Sequence, residues 1–231
     1  MKHVKIDIGL SEAAPQSQNW ISFDDETYVF GFEPVTANVK RIYQGDSRWP
    51  VKLNPEYINR RISIIPCALY SEHFENGMQL NVTTEDPGRS SLLNPTNFEV
   101  AYVENVPVWT LANFLPLISK DRFQFIDHIK IDVQGADFEV LIGAGDEIMR
   151  VIAITIEIDL FGYQGSTNNY DAISRYLRKK GFYRIRSTRF LKYLMKLKRV
   201  DFEIQVSDPT YINIRNLRQI HNRSLYLYQK G

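Results

Sequence analysis

Three segments carry polar residues at the end of apolar, β-branched runs: Ile6-Asp7-Ile8-Gly9, Phe30-Gly31-Phe32-Glu33-Pro34 and Ile129-Lys130-Ile131-Asp132-Val133-Gln134-Gly135. In an open parallel sheet, ligands bind beyond the carboxyl ends of the strands, so such tails are where chemistry is expected. Gly9 lets the backbone turn tightly and approach a ligand, since no Cβ intervenes. Glu33 follows Asp7 by 26 residues, at the end of the next strand, where a carboxylate can accept from both cis hydroxyls of a ribose. A solvated strand-end charge is the competing reading of Glu33. The loop Gly9-Leu10-Ser11-Glu12-Ala13-Ala14-Pro15 lacks the Gly-x-Gly-x-x-Gly fingerprint, and Glu12 would repel a pyrophosphate. The pair therefore suits an adenosine ligand without phosphates better than NAD, which disfavours a Rossmann-type oxidoreductase.

Other residues join the list with their own alternatives. Glu157 and Asp159 end the strand that follows the Asp132 strand. With Asp132 they could clamp a substrate, supply a second base, or hold a divalent metal through hard oxygen ligands. Two ordinary strand-end charges explain them equally, and no spacing demands a metal. Arg89-Ser90-Ser91, after Pro87-Gly88, could grip a sugar or phosphate, or form a plain polar turn. His128 shares a sheet face with Asp132 by period-two alternation, nearer the other strand end, where a structural role competes with substrate contact. The stretch 186–199 interleaves lysines and arginines with Phe190, Leu191, Tyr193, Leu194 and Leu197. It could touch a membrane surface, an anionic glycan or a nucleotide-sugar diphosphate, or pack one face and solvate the other.

The elements that must position these groups read as α/β. Strands are expected over Val4–Ile8, Tyr28–Phe32, Ile62–Ile65, Ile126–Val133, Val151–Ile158, Phe182–Arg186, Phe202–Val206 and Tyr211–Ile214. Most are apolar nearly throughout, as parallel strands covered on both faces should be. Helices are expected over Pro15–Ser22, Pro34–Tyr43 with proline in the first turn, Asp137–Arg150, and Asn169–Lys180 ending at Gly181. Residues 71–110 carry turn signals at Asn76-Gly77, Asp86-Pro87-Gly88 and Asn94-Pro95, and read as an inserted hairpin and loop. After Gly181 an antiparallel hairpin at one sheet edge is expected. At 231 residues, 44% of them hydrophobic, one domain with a sizeable core is the natural expectation.

Charge is nearly balanced, 28 Lys and Arg against 27 Asp and Glu, which argues against nucleic acid as a partner. The lone Cys67 excludes an internal disulfide framework and fits a reducing, cytoplasmic setting. The basic start Met1-Lys2-His3 lacks the apolar run of a secretory signal, and no stretch reaches the ~20 apolar residues of a membrane helix.

The run from Ile126 to Ala144, Ile-Asp-His-Ile-Lys-Ile-Asp-Val-Gln-Gly-Ala-Asp-Phe-Glu-Val-Leu-Ile-Gly-Ala, closely resembles the long motif of the FkbM family of S-adenosylmethionine-dependent methyltransferases. There it typically reads Lys-Ile-Asp-Val-Glu-Gly-Ala-Glu, then Val-Leu-x-Gly-Ala. Asp7-Ile8-Gly9, Phe32-Glu33-Pro34, Ala68-Leu69, Ser90-Ser91-Leu92, Thr110-Leu111 and Ile156-Glu157 follow the family's order, so the resemblance spans roughly residues 4 to 160. It implies a class I methyltransferase fold: a seven-stranded, mostly parallel sheet with helices on both faces and an antiparallel C-terminal edge hairpin. It also implies that Asp7, Ile8, Gly9 and Ser11 lie along the methionine part of S-adenosylmethionine. Glu33, followed by Pro34, would then hold the ribose, Cys67, Ala68 and Leu69 would lie near the adenine, Asp132 would face the methyl group, and Val133 and Gln134 would also bind the cofactor. Asp132 becomes the first choice of base for a hydroxyl acceptor on a sugar, glycan or nucleotide-sugar. Two segments depart from the pattern, the first loop at Leu10, Ser11 and Ala13, and the long motif at Gln134. The first loop usually reads Asp-x-Gly-Ala-Asn-x-Gly, and Ala13 would add a methyl where positive φ is expected; Gln134 replaces a glutamate. Those departures leave a non-catalytic cofactor-binding or interaction domain as the rival reading.

Overall fold

The computed structural model describes residues 1–84, 86–158, 162–185 and 208–216. In chain order the strands are β1 (His3–Ile8), β2 (Thr27–Phe32), β3 (Ile62–Ile65), β4 (Ala68–Leu69), β5 (Phe74–Thr83) and β6 (Asn94–Pro95). They continue with β7 (Val100–Trp109), β8 (Ile126–Ile131), β9 (Val151–Ile156), β10 (Tyr163–Gln164), β11 (Phe182–Arg184) and β12 (Thr210–Asn213). The helices are α1 (Pro15–Phe23), α2 (Thr36–Gln44), α3 (Leu111–Phe114), α4 (Asp137–Gly143) and α5 (Tyr170–Lys179).

Seven strands form one sheet in the order β3-β2-β1-β8-β9-β12-β11. The first five are mutually parallel, and β12 runs antiparallel between β9 and β11, as the sequence led one to expect. The chain moves outward from β1 to β3 and then returns to β8 on the other side of β1. That reversal makes the β1–β8 junction the place where loops diverge and leave a crevice.

Alternation along β1 shows how both faces are covered. Val4, Ile6 and Ile8 belong to a core shared with Leu111, Phe114, Val140, Leu141, Ile173 and Leu177, so α3, α4 and α5 lie on that side. On the other face Lys5 stacks over Trp20 and Asp7 accepts from Ser17, both on α1. There Trp20, Ile21 and Ile42 pack with Leu10, Val29 and Ile62, which brings α1 and α2 together.

The insertion expected at 71–110 is a hairpin of β5 and β7, with β4 added parallel to β7 to make a separate three-stranded sheet. Its short β6 pairs with β10, joining the insertion to the segment after β9. Asn76-Gly77 is not a turn between strands. It lies inside β5, at a register shift between Phe74 and Met78, with Gly77 at φ 72°. A Cβ on Gly77 would stand 2.4 Å from the Val106 carbonyl oxygen, so glycine marks a bulge here.

Other boundaries move for physical reasons. Strands β8 and β9 stop two residues earlier than expected, although the Asp132 and Glu157 amides still donate to Ile8 and Ile131. Helix α2 starts at Thr36, not Pro34, because the Val35 amide donates to Glu33 and holds that residue extended. Helix α4 ends at Gly143; the following amides of Ala144 and Gly145 bond three residues back, and a 3-10 turn over Glu147–Arg150 leads into β9. The expected strand at Phe202–Val206 and the basic stretch 186–199 lie outside the described residues. Among the described residues no helix is long and apolar enough to cross a membrane.

Candidate functional site

The strand ends around the β1–β8 junction are locked to one another by backbone bonds. The Gly9 amide donates to Phe32 at 3.0 Å, the Asp132 amide to Ile8 at 3.0 Å, and the Glu33 amide to Ile65 at 3.1 Å. Gly9 takes φ 84°, and a Cβ on it would stand 1.8 Å from the Asp132 carbonyl oxygen. The tight turn read from Gly9 is therefore also a close crossing of two strand tails. Above them opens a cleft walled by the tails of β1, β2 and β8 and by the insertion.

Of the residues expected around a cofactor, Ile8, Gly9, Ser11, Glu33, Pro34, Cys67, Ala68, Leu69, Asp132, Val133 and Gln134 all line this cleft. Asp7 does not. It lies beneath the floor, 1% exposed, accepting from the Ser17 hydroxyl at 2.7 Å with Lys130 Nζ 3.7 Å away. Burial pushes the Asp7 carboxyl above its usual range, partly offset by Lys130. The structure thus places Asp7 under the loop and not on the cleft wall.

The first loop differs from its sequence reading in two respects. Positive φ falls on Ser11 (55°) and Ala14 (49°), not on Ala13. Glu12 does not face the cleft: it is buried against the guanidinium of Arg41, with Arg48 at 3.6 Å, so its charge is spent on the protein. The wall carrying Glu33 is otherwise apolar, with Val35, Ala68, Leu69, Leu80 and Leu92 around it. Glu33 Oε1 accepts from the Val35 amide at 3.0 Å and the Asn38 side-chain amide at 3.2 Å. Burial nevertheless pushes Glu33 up to about 7, against the pull of those donors. Cys67 beside it is an inert thiol, pushed up to about 12 by burial.

Opposite stands an acid cluster organised by a lysine. Lys130 Nζ lies 3.1 Å from Asp132 Oδ2 and donates to the Gly9 carbonyl at 3.1 Å. Burial alone would lower the Lys130 ammonium; Asp132 and Asp7 outweigh it and raise it above its usual range. Burial likewise works to raise Asp132, but Lys130 and the hydrogen bonds of its neighbours win and hold it low. Asp132 keeps 31% of its side chain exposed toward the cleft. The Gln134 amide donates to Asp132 Oδ1 at 2.7 Å and to Glu157 Oε2 at 2.8 Å. Glu157 is pushed up to about 10 by burial and by the Asp132 charge.

The loop bearing these groups is pinned by Asp137 at the start of α4, which accepts from the Val133 and Gly135 amides and from Asn168. Burial and the charge of Asp132 push Asp137 up to about 6. Ser90 and Ser91 line the cleft, and the Ser91 hydroxyl donates to the Gln134 carbonyl at 2.7 Å. Arg89 turns away, 4.6 Å over the Phe98 ring and 3.7 Å from Asp86. His128 sits in the core of β8, 5.1 Å from the Trp20 ring and 2.9 Å from the Thr155 hydroxyl, and does not line the cleft. Asp159, the expected third carboxylate, lies outside the described residues. Among the described residues no group of three His, Cys, Asp or Glu is disposed to hold a metal ion.

Lys130, Asp137, Leu80 and Leu92 escaped the sequence reading. Lys130 had a signal: a lone cation inside an apolar, doubly covered strand, two residues before Asp132 and so on its face. Leu92 stood in the Ser90-Ser91-Leu92 piece without a role, and Leu80 had no signal, because only the folding of the insertion brings it to the cleft. An adenosine fits what is present: a buried carboxylate beside an apolar slot, with the nearby cation already engaged by two carboxylates and no glycine-rich phosphate cradle. The model of the methyltransferase FkbM domain matches residues 14–183, well over half of the chain. No curated protein and no solved structure matches it. The match starts beyond β1, so the turn at Gly9 rests on its geometry, and it takes in β8 and the motif that runs on from it. On these grounds the chain belongs to the FkbM methyltransferase family.

Proposed function

We propose that the protein is an S-adenosylmethionine-dependent O-methyltransferase whose acceptor is a hydroxyl of a sugar, glycan or nucleotide-sugar, working in the cytoplasm. The observation that carries this reading is one cleft with Glu33 and an apolar slot on one wall and the Lys130–Asp132 pair on the other. The cofactor supplies an electrophilic methyl group on a sulfonium. Glu33 accepts from the ribose hydroxyls, and Ala68, Leu69, Leu80 and Leu92 bury the adenine. Asp132, ionised and exposed to the cleft, accepts the proton of the acceptor hydroxyl. Lys130 keeps that carboxylate fixed, which matters because methyl transfer is chiefly a task of alignment. The acceptor class rests on the family resemblance.

Thermal unfolding with S-adenosylhomocysteine, and with NAD as control, tests the cofactor assignment. At ~100 times its Kd a ligand of the folded state stabilises it by about 2.7 kcal/mol. A shift with the homocysteine compound alone is expected. No shift would remove the cofactor assignment, and turnover of sugar acceptors untouched by Asp132→Ala would remove the base.

A further inference from the structure

We infer that Gln134 is a positioning residue that yokes Asp132 and Glu157 into a pair holding one proton, with Asp132 the ionised member facing the cleft and Glu157 the neutral acid behind it. This deepens the methyltransferase reading, since it assigns the state of the proposed base.

Gln134 adopts φ 56°, a left-handed conformation that costs a side-chain-bearing residue of order 1 kcal/mol and persists only where surroundings enforce it. Its surroundings account for every polar atom of its side chain. Both amide hydrogens are committed, one to Asp132 Oδ1 and one to Glu157 Oε2. The amide oxygen accepts from the Tyr163 hydroxyl at 2.9 Å, and the main-chain carbonyl accepts from Ser91. One residue thus ties the loop after β8 to the insertion and to the segment after β9. An acidic side chain at this position could not donate to both carboxylates.

Charge then fixes the proton count. Among the described residues the charged groups facing the pair are Lys130, Asp7, Asp137 and Asp208. Lys130 is the single cation among them, and its ammonium contacts Asp132 and Asp7 while no ion pair joins it to Glu157. Two carboxylates sharing one amide nitrogen in a half-buried site repel each other, which favours a proton on one of them. The carboxylate beside the lysine keeps its charge, and the other keeps its proton, in line with the upward push on Glu157.

The test needs no cofactor or acceptor, so its failure is separate from failure of the methyltransferase reading, which S-adenosylhomocysteine binding reads independently. Glu157 folds protonated but ionises in the unfolded chain near its ordinary value of 4.5. Glu157 therefore withdraws stability as pH climbs above about 4.5, a contribution that Glu157→Gln, permanently neutral, lacks. The melting temperature of Glu157→Gln relative to wild type should rise steadily from about pH 4.5 to about pH 9, by several degrees. A difference that stays flat or falls overturns the shared proton. Gln134→Glu supplies only one donor, and that only while protonated, so its deficit should be small in acid and widen with pH. A pH-independent deficit means that Gln134 only fills space. Should either variant fail to fold, carboxyl-labelled glutamate NMR of the wild type decides. One glutamate keeping its protonated shift at pH 8 supports the pair, and complete titration below that pH removes it.

Discussion

Glu33 decides how the cleft responds to pH. Its carboxyl is 3% exposed and pushed up to about 7, first by burial, with the Val35 amide and Asn38 pulling the other way. Near neutrality roughly half of the free protein therefore carries a proton on the group meant to accept two ribose hydroxyls. A neutral carboxyl accepts less well, so binding draws on the ionised form. Affinity for S-adenosylhomocysteine should fall as pH drops below about 7, approaching tenfold per pH unit, and level off above it. Glu33→Gln should bind ~10-fold more weakly and lose this dependence. Calorimetric titration across neutral pH checks both, and a wild-type affinity indifferent to pH would take Glu33 out of the ribose site. Glu33 was legible because a carboxylate at the second strand end has a known partner. Its titration was not, because spacing says nothing about Val35, Asn38 and the walls that bury it. Lys130 shows the same limit: its second carboxylate, Asp7, meets it only because β1 and β8 pair with Asp7 opposite Lys130.

Strands were easier to read than the loops between them. The apolar runs of β1, β2, β8 and β9 follow from burial on both faces, and period two then fixes which residues face which helices. The start of α2 moved because of a local side-chain bond, the Glu33 carboxylate accepting from the Val35 amide two residues on. The loop after β1 illustrates why a turn signal is not a geometry. Ala13 was expected to carry the strain, yet the left-handed positions are Ser11 and Ala14 on either side of it. The residue on which the turn depends is Gly9, whose α-hydrogen faces the Asp132 carbonyl. Gly9→Ala should combine the ~1–2 kcal/mol cost of left-handed alanine with a collision against main chain that cannot yield. We expect a loss of stability of more than ~2 kcal/mol in urea unfolding, together with loss of any response to S-adenosylhomocysteine. An alanine variant that melts and binds like wild type would mean that β1 and β8 can separate at this end.

At the scale of the molecule, the question is whether the small sheet of β4, β7 and β5 folds with the large one. Leu80 and Val82 from β5 and Val106 and Val108 from β7 pack with Ala68 of β4 on Val35, which follows the tail of β2 at the start of α2. Leu80 is 2% exposed and also lines the cleft, so one side chain serves the insertion's core and the cleft wall. A sequence of alternating residues with several turn signals announces a hairpin but not where it docks, which is why this wall was invisible beforehand. Packing of this kind makes the insertion and the sheet one cooperative unit in our reading. Leu80→Ala then removes three heavy atoms from a buried site, a change that costs ~2–5 kcal/mol in protein cores. The void opens toward the cleft, where water can enter, so the lower end of that range is expected. Urea unfolding should shift to a lower midpoint with an unchanged slope, because the same surface is still exposed in one step. A second, earlier transition or a reduced slope would instead show the insertion unfolding by itself. In that case the affinity lost for S-adenosylhomocysteine would track the fraction of molecules with the insertion undocked, rather than the methylenes missing from the wall.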